Sequence, residues 1–103
     1  VLNNLVALGV GRVCPISIVG DDGEGYELRQ ALATLRGVDA GGLVTAADRR
    51  TPTYTKPMYG DRELSRLDIK NRTPTPRVYE DAVLAKLDAL WPTFDALIVL
   101  DQV

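Results

Sequence analysis

Asp101 is the residue whose setting most favours chemistry. It stands directly after Ala96-Leu97-Ile98-Val99-Leu100, a continuous apolar run of the kind that forms a strand buried on both faces. Open α/β sheets bind ligands at the carboxyl ends of such strands, where a carboxylate accepts hydrogen bonds from substrate hydroxyls. The plainer use of Asp101 is a turn or cap. Lys56, Arg62 and Arg66 lie in a stretch with strand and turn signals, placed to meet a phosphorylated or hydroxylated ligand. The plainer use of such charges is the solvated face of a two-stranded ribbon. Arg66 and Asp68, two apart on a strand, share a face and can simply pair. Asp21 and Asp22 precede a helical pattern and are expected to cap it, because two carboxylates there would repel a phosphate. Cys14 reads as a small core residue, and Trp91 with Leu87 as core.

What is missing narrows the chemistry further. The chain has no histidine, which removes Ser-His-Asp and Cys-His catalysis and His-ligated metal. Its single cysteine removes an internal disulfide and a cysteine zinc site. There is no P-loop, no GxGxxG and no pair of carboxylates at a hydrolase spacing. No residue is therefore assigned as catalytic or as a metal ligand. Twelve Lys and Arg against fourteen Asp and Glu leave a net charge of −2, with no electrostatic pull toward nucleic acid or an anionic membrane. The apolar run of five residues is far short of the ~20 that span a bilayer. With 103 residues, 46% hydrophobic and 25% charged, the chain predicts one small soluble unit in the cytoplasm.

The elements that must position these residues alternate between helix and strand. Apolar positions 1, 2, 5, 6 and 8 have helical spacing, with Gly9 as the left-handed stop. Residues 13–19 read as a strand with Pro15 near its start. Gly20-Asp21-Asp22-Gly23 turns into a helix over about 24–36, with Leu28, Ala31, Leu32 and Leu35 on one face and Gly37 ending it. A short strand over 42–46 follows. Residues 51–59 and 63–69 then read as a β-hairpin reversing at Gly60-Asp61, its first strand pushed to an edge by Pro52 and Pro57. Thr75-Pro76 opens the last helix, with Pro at its first position and a stripe of Tyr79, Val83, Leu87 and Leu90. The buried strand 96–100 closes the chain. Both ends read as interrupted: the first helix has no N-cap residue, and a central strand has nothing after it to cover it.

Val19-Gly20-Asp21-Asp22-Gly23-Glu24-Gly25 through Leu28-Arg29-Gln30-Ala31-Leu32, then Gly37-Val38-Asp39, resembles the ribokinase-like (PfkB) carbohydrate kinases. That family shows a strand, Gly-Asp-Asp-x-x-Gly, a helix with Leu-Arg-x-x-Leu, then Gly-Val-Asp. Residues 1–10 look like the family's helix after its Gly-Gly-x-x-Asn sugar-binding motif. Thr53-Tyr54-Thr55-Lys56 with Arg66-Leu67-Asp68, and the run ending in Asp101, resemble the bacterial heptose-7-phosphate kinases, although Met58 stands where these usually carry Arg.

The resemblance implies a partial Rossmann-like three-layer α/β sheet, with the hairpin as a lid or sheet edge. Residues 1–103 would form one segment of a larger sugar kinase domain. It implies a sugar or sugar-phosphate substrate and the use of ATP and Mg²⁺ by the intact protein, with Asp101, Lys56 and Arg66 on the substrate. The family's catalytic base and anion hole belong to a Gly-Ala-Gly-Asp motif that this sequence does not contain, so the isolated chain is expected to be inactive. The competing expectation is a non-catalytic α/β module that binds a partner or forms a homodimer through its hairpin edge.

Overall fold

The computed structural model describes residues 1–101, and the chain is mixed α/β. Helix α1 (Leu2–Ala7) stops as its sequence requires. Gly9 has φ 86°, its amide donates to the Val6 carbonyl at 3.0 Å, and the Val10 amide donates to Leu5 at 3.1 Å. Those two bonds complete a Schellman motif. Strand β1 (Ser17–Gly20) is shorter than the apolar pattern from residue 13 predicts. Val13 makes only an isolated bridge to Val38, and Pro15, without an amide hydrogen, interrupts the ladder between them.

Helix α2 (Gly23–Ala33) follows β1, and Gly37 carries the reversal beyond it with φ 77°. A 3₁₀ turn (Ala40–Gly42), capped by Asp39 on the Gly41 amide, feeds β2 (Leu43–Ala46). Strands β1 and β2 pair in parallel, from Ser17↔Leu43 to Gly20↔Ala46, the arrangement that needs a helical crossover. Leu32 of α2 packs between Val19 and Leu43, with Leu2, Leu35, Val38 and Ala40 around them. Leu28, expected on that face, is instead half-exposed. Arg29 adds a polar tie from α2 to β2, donating to Thr45 Oγ1 at 2.7 Å.

The hairpin is jointed. Strands β3 (Thr53–Thr55) and β6 (Leu67–Ile69) pair antiparallel, and so do β4 (Met58–Tyr59) and β5 (Arg62–Glu63) at the tip. Thr55↔Leu67 and Met58↔Glu63 enclose residues 56–57 on one side and 64–66 on the other. The extra residue on the return side is a bulge. Gly60, with φ 62°, and Asp61, which has no positive φ, form the Gly-first two-residue turn that suits strand twist.

Helix α3 (Arg77–Leu90) packs on β1 and β2. Tyr79, Val83, Leu87 and Leu90 are half-buried as the stripe requires. Pro76 sits at the N-cap rather than the first helical position, and no side chain caps the helix. Two further expectations fail near the end of the chain. Trp91 is 57% exposed, its ring centre 6.5 Å from that of Phe94 in a T-shaped pair, because α3 ends there and a 3₁₀ turn (Trp91–Thr93) follows. Residues 96–100 form no strand, and Leu97, Ile98, Val99 and Leu100 are exposed. A strand exists only by pairing, and no described strand lies along this run. Among the described residues no helix is long and apolar enough to cross a membrane.

Candidate functional site

Where β1 ends, Asp22 turns its carboxylate inward rather than outward. As N-cap of α2 it accepts from the Gly25 amide at 2.8 Å. It also accepts from the Thr51 amide at 2.8 Å and the Thr51 hydroxyl at 2.7 Å. Arg50 approaches it at 3.2 Å and bridges to Glu24 at 3.0 Å. Thr51 is buried, and its hydroxyl oxygen accepts from the Gly20 amide at 2.9 Å. The loop leaving β2 is thereby fastened to the end of β1 and the start of α2. Gly20 and Gly25 make the approach possible, since a Cβ on Gly20 would lie 2.5 Å from the Arg49 carbonyl oxygen and one on Gly25 2.4 Å from that of Gly20.

The two Thr51 donors, then the Gly25 amide and the Arg50 charge, hold the Asp22 pKa at about 2, below its ordinary 3.8. A carboxylate whose folded pKa is depressed contributes stability that is complete above its unfolded pKa and lost as pH falls through the folded one. Acid destabilisation through this group is therefore expected between about pH 4 and pH 2. Asp22→Asn should flatten the stability profile in that window, which denaturant titrations at stepped pH would show. An unchanged slope would remove Asp22 from the account.

The hairpin arm carries two of the three expected site residues. Arg66 pairs with Asp68 at 2.7 Å and lies 5.1 Å from the centre of the Tyr54 ring. Lys70 stands 3.8 Å from Asp68 and 5.4 Å from the same ring centre. Tyr54 faces Asp68 across the ladder, so aromatic, carboxylate and both cations form one exposed cluster. Lys56 is separate, 3.5 Å from Glu63 across the bulge. An open hollow lined by Asp68, Ile69, Lys70, Asn71 and Arg72 adjoins the cluster. Arg62 is exposed at the tip turn.

Asp101 is exposed at the end of the unpaired run. Among the described residues no hydrogen bond or ion pair joins it to Lys56 or Arg66. The structure thus groups Arg66 with Asp68, leaves Lys56 on its own pair and places Asp101 elsewhere in the chain.

Sequence reading missed the residues that root the arm. Asn71 bonds both peptide groups of Arg50, Arg49 reaches the Thr73 hydroxyl at 2.8 Å, and Tyr79 donates to Asp48. That last bond raises the Tyr79 pKa. The available signal was the density of Asp, Arg, Thr and Asn at 48–51 and 71–75 around a predicted hairpin.

No protein-family model matches the chain, and no solved structure matches it. Among curated proteins the chain is similar to the bifunctional protein HldE of Geobacter metallireducens, 33% identical over 101 residues, 98% of this chain and 20% of that protein. The protein of the same name from Geotalea uraniireducens is 34% identical over the same span and shares. That from Wolinella succinogenes is 30% identical over 98% of this chain and 21% of its own length. The chain spans about a fifth of the length of the curated relatives it matches.

Proposed function

We propose that residues 1–103 are one segment, on the sugar side, of an ATP-dependent carbohydrate kinase that phosphorylates a sugar phosphate of the heptose class. The observation that carries this reading is similarity to bifunctional proteins HldE along 98% of the chain. The parallel β1–α2–β2 unit with Asp22 closing its turn supports a Rossmann-like, ribokinase-type sheet in the larger protein.

Asp101 accepts hydrogen bonds from sugar hydroxyls. Arg66 and Lys56 face the phosphate, each giving up a carboxylate partner as it binds. ATP and Mg²⁺ belong to the whole kinase, and the described residues gather no site for the metal. No group of three or more Cys, Asp or Glu stands together for a metal among them. The Gly25 amide at the start of α2 is already taken by Asp22. The base and the donors for the transferring phosphoryl group lie in other segments.

Segment exchange tests the reading. The aligned residues of the Geobacter metallireducens protein are replaced by those of this chain, and ADP release is followed with a heptose 7-phosphate. Within such a chimera Asp101→Asn keeps shape and removes charge. It should lower kcat/KM about ten- to a hundredfold, the worth of a charge-assisted hydrogen bond. A kinetically silent Asp101→Asn would take that residue out of the site. A second reading, a non-catalytic module that pairs with another copy, draws on the exposed run 97–100. It is favoured if every folded chimera lacks turnover.

A further inference from the structure

The β3–β6 ladder ends toward its root at Thr53↔Ile69. The register would next set Pro52, which has no amide hydrogen, opposite Lys70 and Thr51 opposite Asn71, and neither pair forms. Asn71 takes over from the opposite strand. Its Oδ1 accepts from the Arg50 amide at 2.9 Å, and its Nδ2 donates to the Arg50 carbonyl at 2.7 Å. One side-chain amide thereby satisfies both the amide and the carbonyl of Arg50.

The residues on either side of Arg50 reinforce the joint. Arg49 donates to the Thr73 hydroxyl, the Thr73 carbonyl and the Pro74 carbonyl at 2.8, 3.0 and 3.3 Å. Thr51 is bound to Asp22 and Gly20. Residues 49–51 therefore tie the return strand of the arm to the β1–α2 turn. Nearer the tip the ties thin out. Across the bulge, the Leu64 amide donates to the Pro57 carbonyl at 2.9 Å beside the exposed Lys56–Glu63 pair.

Resting on the sugar-kinase reading, we propose that Asn71 is a positioning residue. By clamping Arg50 beyond the end of the β3–β6 ladder, it fixes the direction of the arm bearing Tyr54, Arg66 and Asp68. Bending of the hairpin is thereby confined to the bulge at residues 64–66 near the tip. Asn71 acts on substrate only through where it holds Arg66.

Amide hydrogen exchange on the 103-residue chain tests the fixing directly. In Asn71→Ala, amides at 53–55 and 67–69 should exchange about tenfold faster, while those at 17–20 and 43–46 stay within about twofold. Asn71→Asp keeps the acceptor for the Arg50 amide and loses the donor, so its effect should be intermediate. In the chimera, Asn71→Ala should raise KM for the heptose phosphate about three- to tenfold, leaving KM for ATP and kcat within about twofold. Arm protection that is unchanged, or lost equally in β1 and β2, overturns the proposal. So does a loosened arm with an unmoved sugar-phosphate KM. If the unsubstituted chimera has no turnover, the kinase reading fails by itself and the exchange rates still decide whether Asn71 fixes the arm.

Discussion

Gly25→Ala is expected to lower the stability of the chain by about 3 kcal/mol. The new Cβ would lie 2.4 Å from the Gly20 carbonyl oxygen and 3.0 Å from both Asp22 Oδ1 and Thr51 Oγ1. The first neighbour is the backbone at the end of β1, which cannot swing aside as a surface side chain would. Overpacking of this kind costs typically 1–3 kcal/mol, and a backbone neighbour puts this case at the upper end. Alanine is the better helix former by about 1 kcal/mol. Crowding of the two oxygens that bind each other beside the new methyl group offsets that gain. Gly23→Ala, two residues earlier and in open space, is the matched control and should be close to neutral. Chemical denaturation of both variants decides it: equal midpoints would mean that α2 does not sit on β1 as described.

Thr51→Val should cost about 2 kcal/mol, although the two side chains have nearly the same shape. The hydroxyl accepts from the Gly20 amide and donates to Asp22 Oδ1, so its loss leaves a buried amide without an acceptor. An orphaned buried donor costs about 1–3 kcal/mol. The Asp22 carboxylate also loses one of the donors that depress its pKa. The acid limb of the stability profile should therefore still begin near the unfolded value but end at higher pH in Thr51→Val, with less stability lost across it. Thr53→Val removes a half-buried hydroxyl that donates to the Thr51 carbonyl at 3.0 Å, and should matter much less. A Thr51 variant as stable as Thr53→Val would contradict the fastening of the β2 loop to α2.

How legible these features were depends on whether their cause is local. Gly9, Gly37 and Gly60 sit at positive φ, and each stood in the sequence as a stop or turn because the requirement belongs to one residue. Asp22 as a cap was legible for the same reason, with Asp21 as the only rival. The bulge was not, because it comes from unequal spacing between two pairings rather than from a residue type. The Arg50–Asn71 and Asp22–Thr51 joints were not either. They join positions 21 and 29 apart, and nothing periodic marks them. The run at 96–100 failed in the opposite way: its apolar character is real, but a strand also needs a neighbour.

The site divides along the same line. Arg66 pairing with Asp68 was expected from alternation on a strand, and the pair forms although Arg66 lies in the bulge just before β6. The addition of Tyr54 and Lys70 to that pair follows from the β3–β6 register, which only the folded arm sets. Asp101 was singled out by the strand expected before it. Its assignment to the sugar now rests on the kinase reading rather than on a strand in this chain.

The central claim is that these residues serve as the sugar-side segment of a carbohydrate kinase. Its most direct measurement is heptose-phosphate-dependent ADP release by a folded chimera of the Geobacter metallireducens protein carrying this segment. The account predicts turnover that requires the sugar phosphate and falls with Asp101→Asn. A chimera that folds with native-like cooperativity, binds ATP and releases no ADP over a panel of sugar phosphates would contradict it.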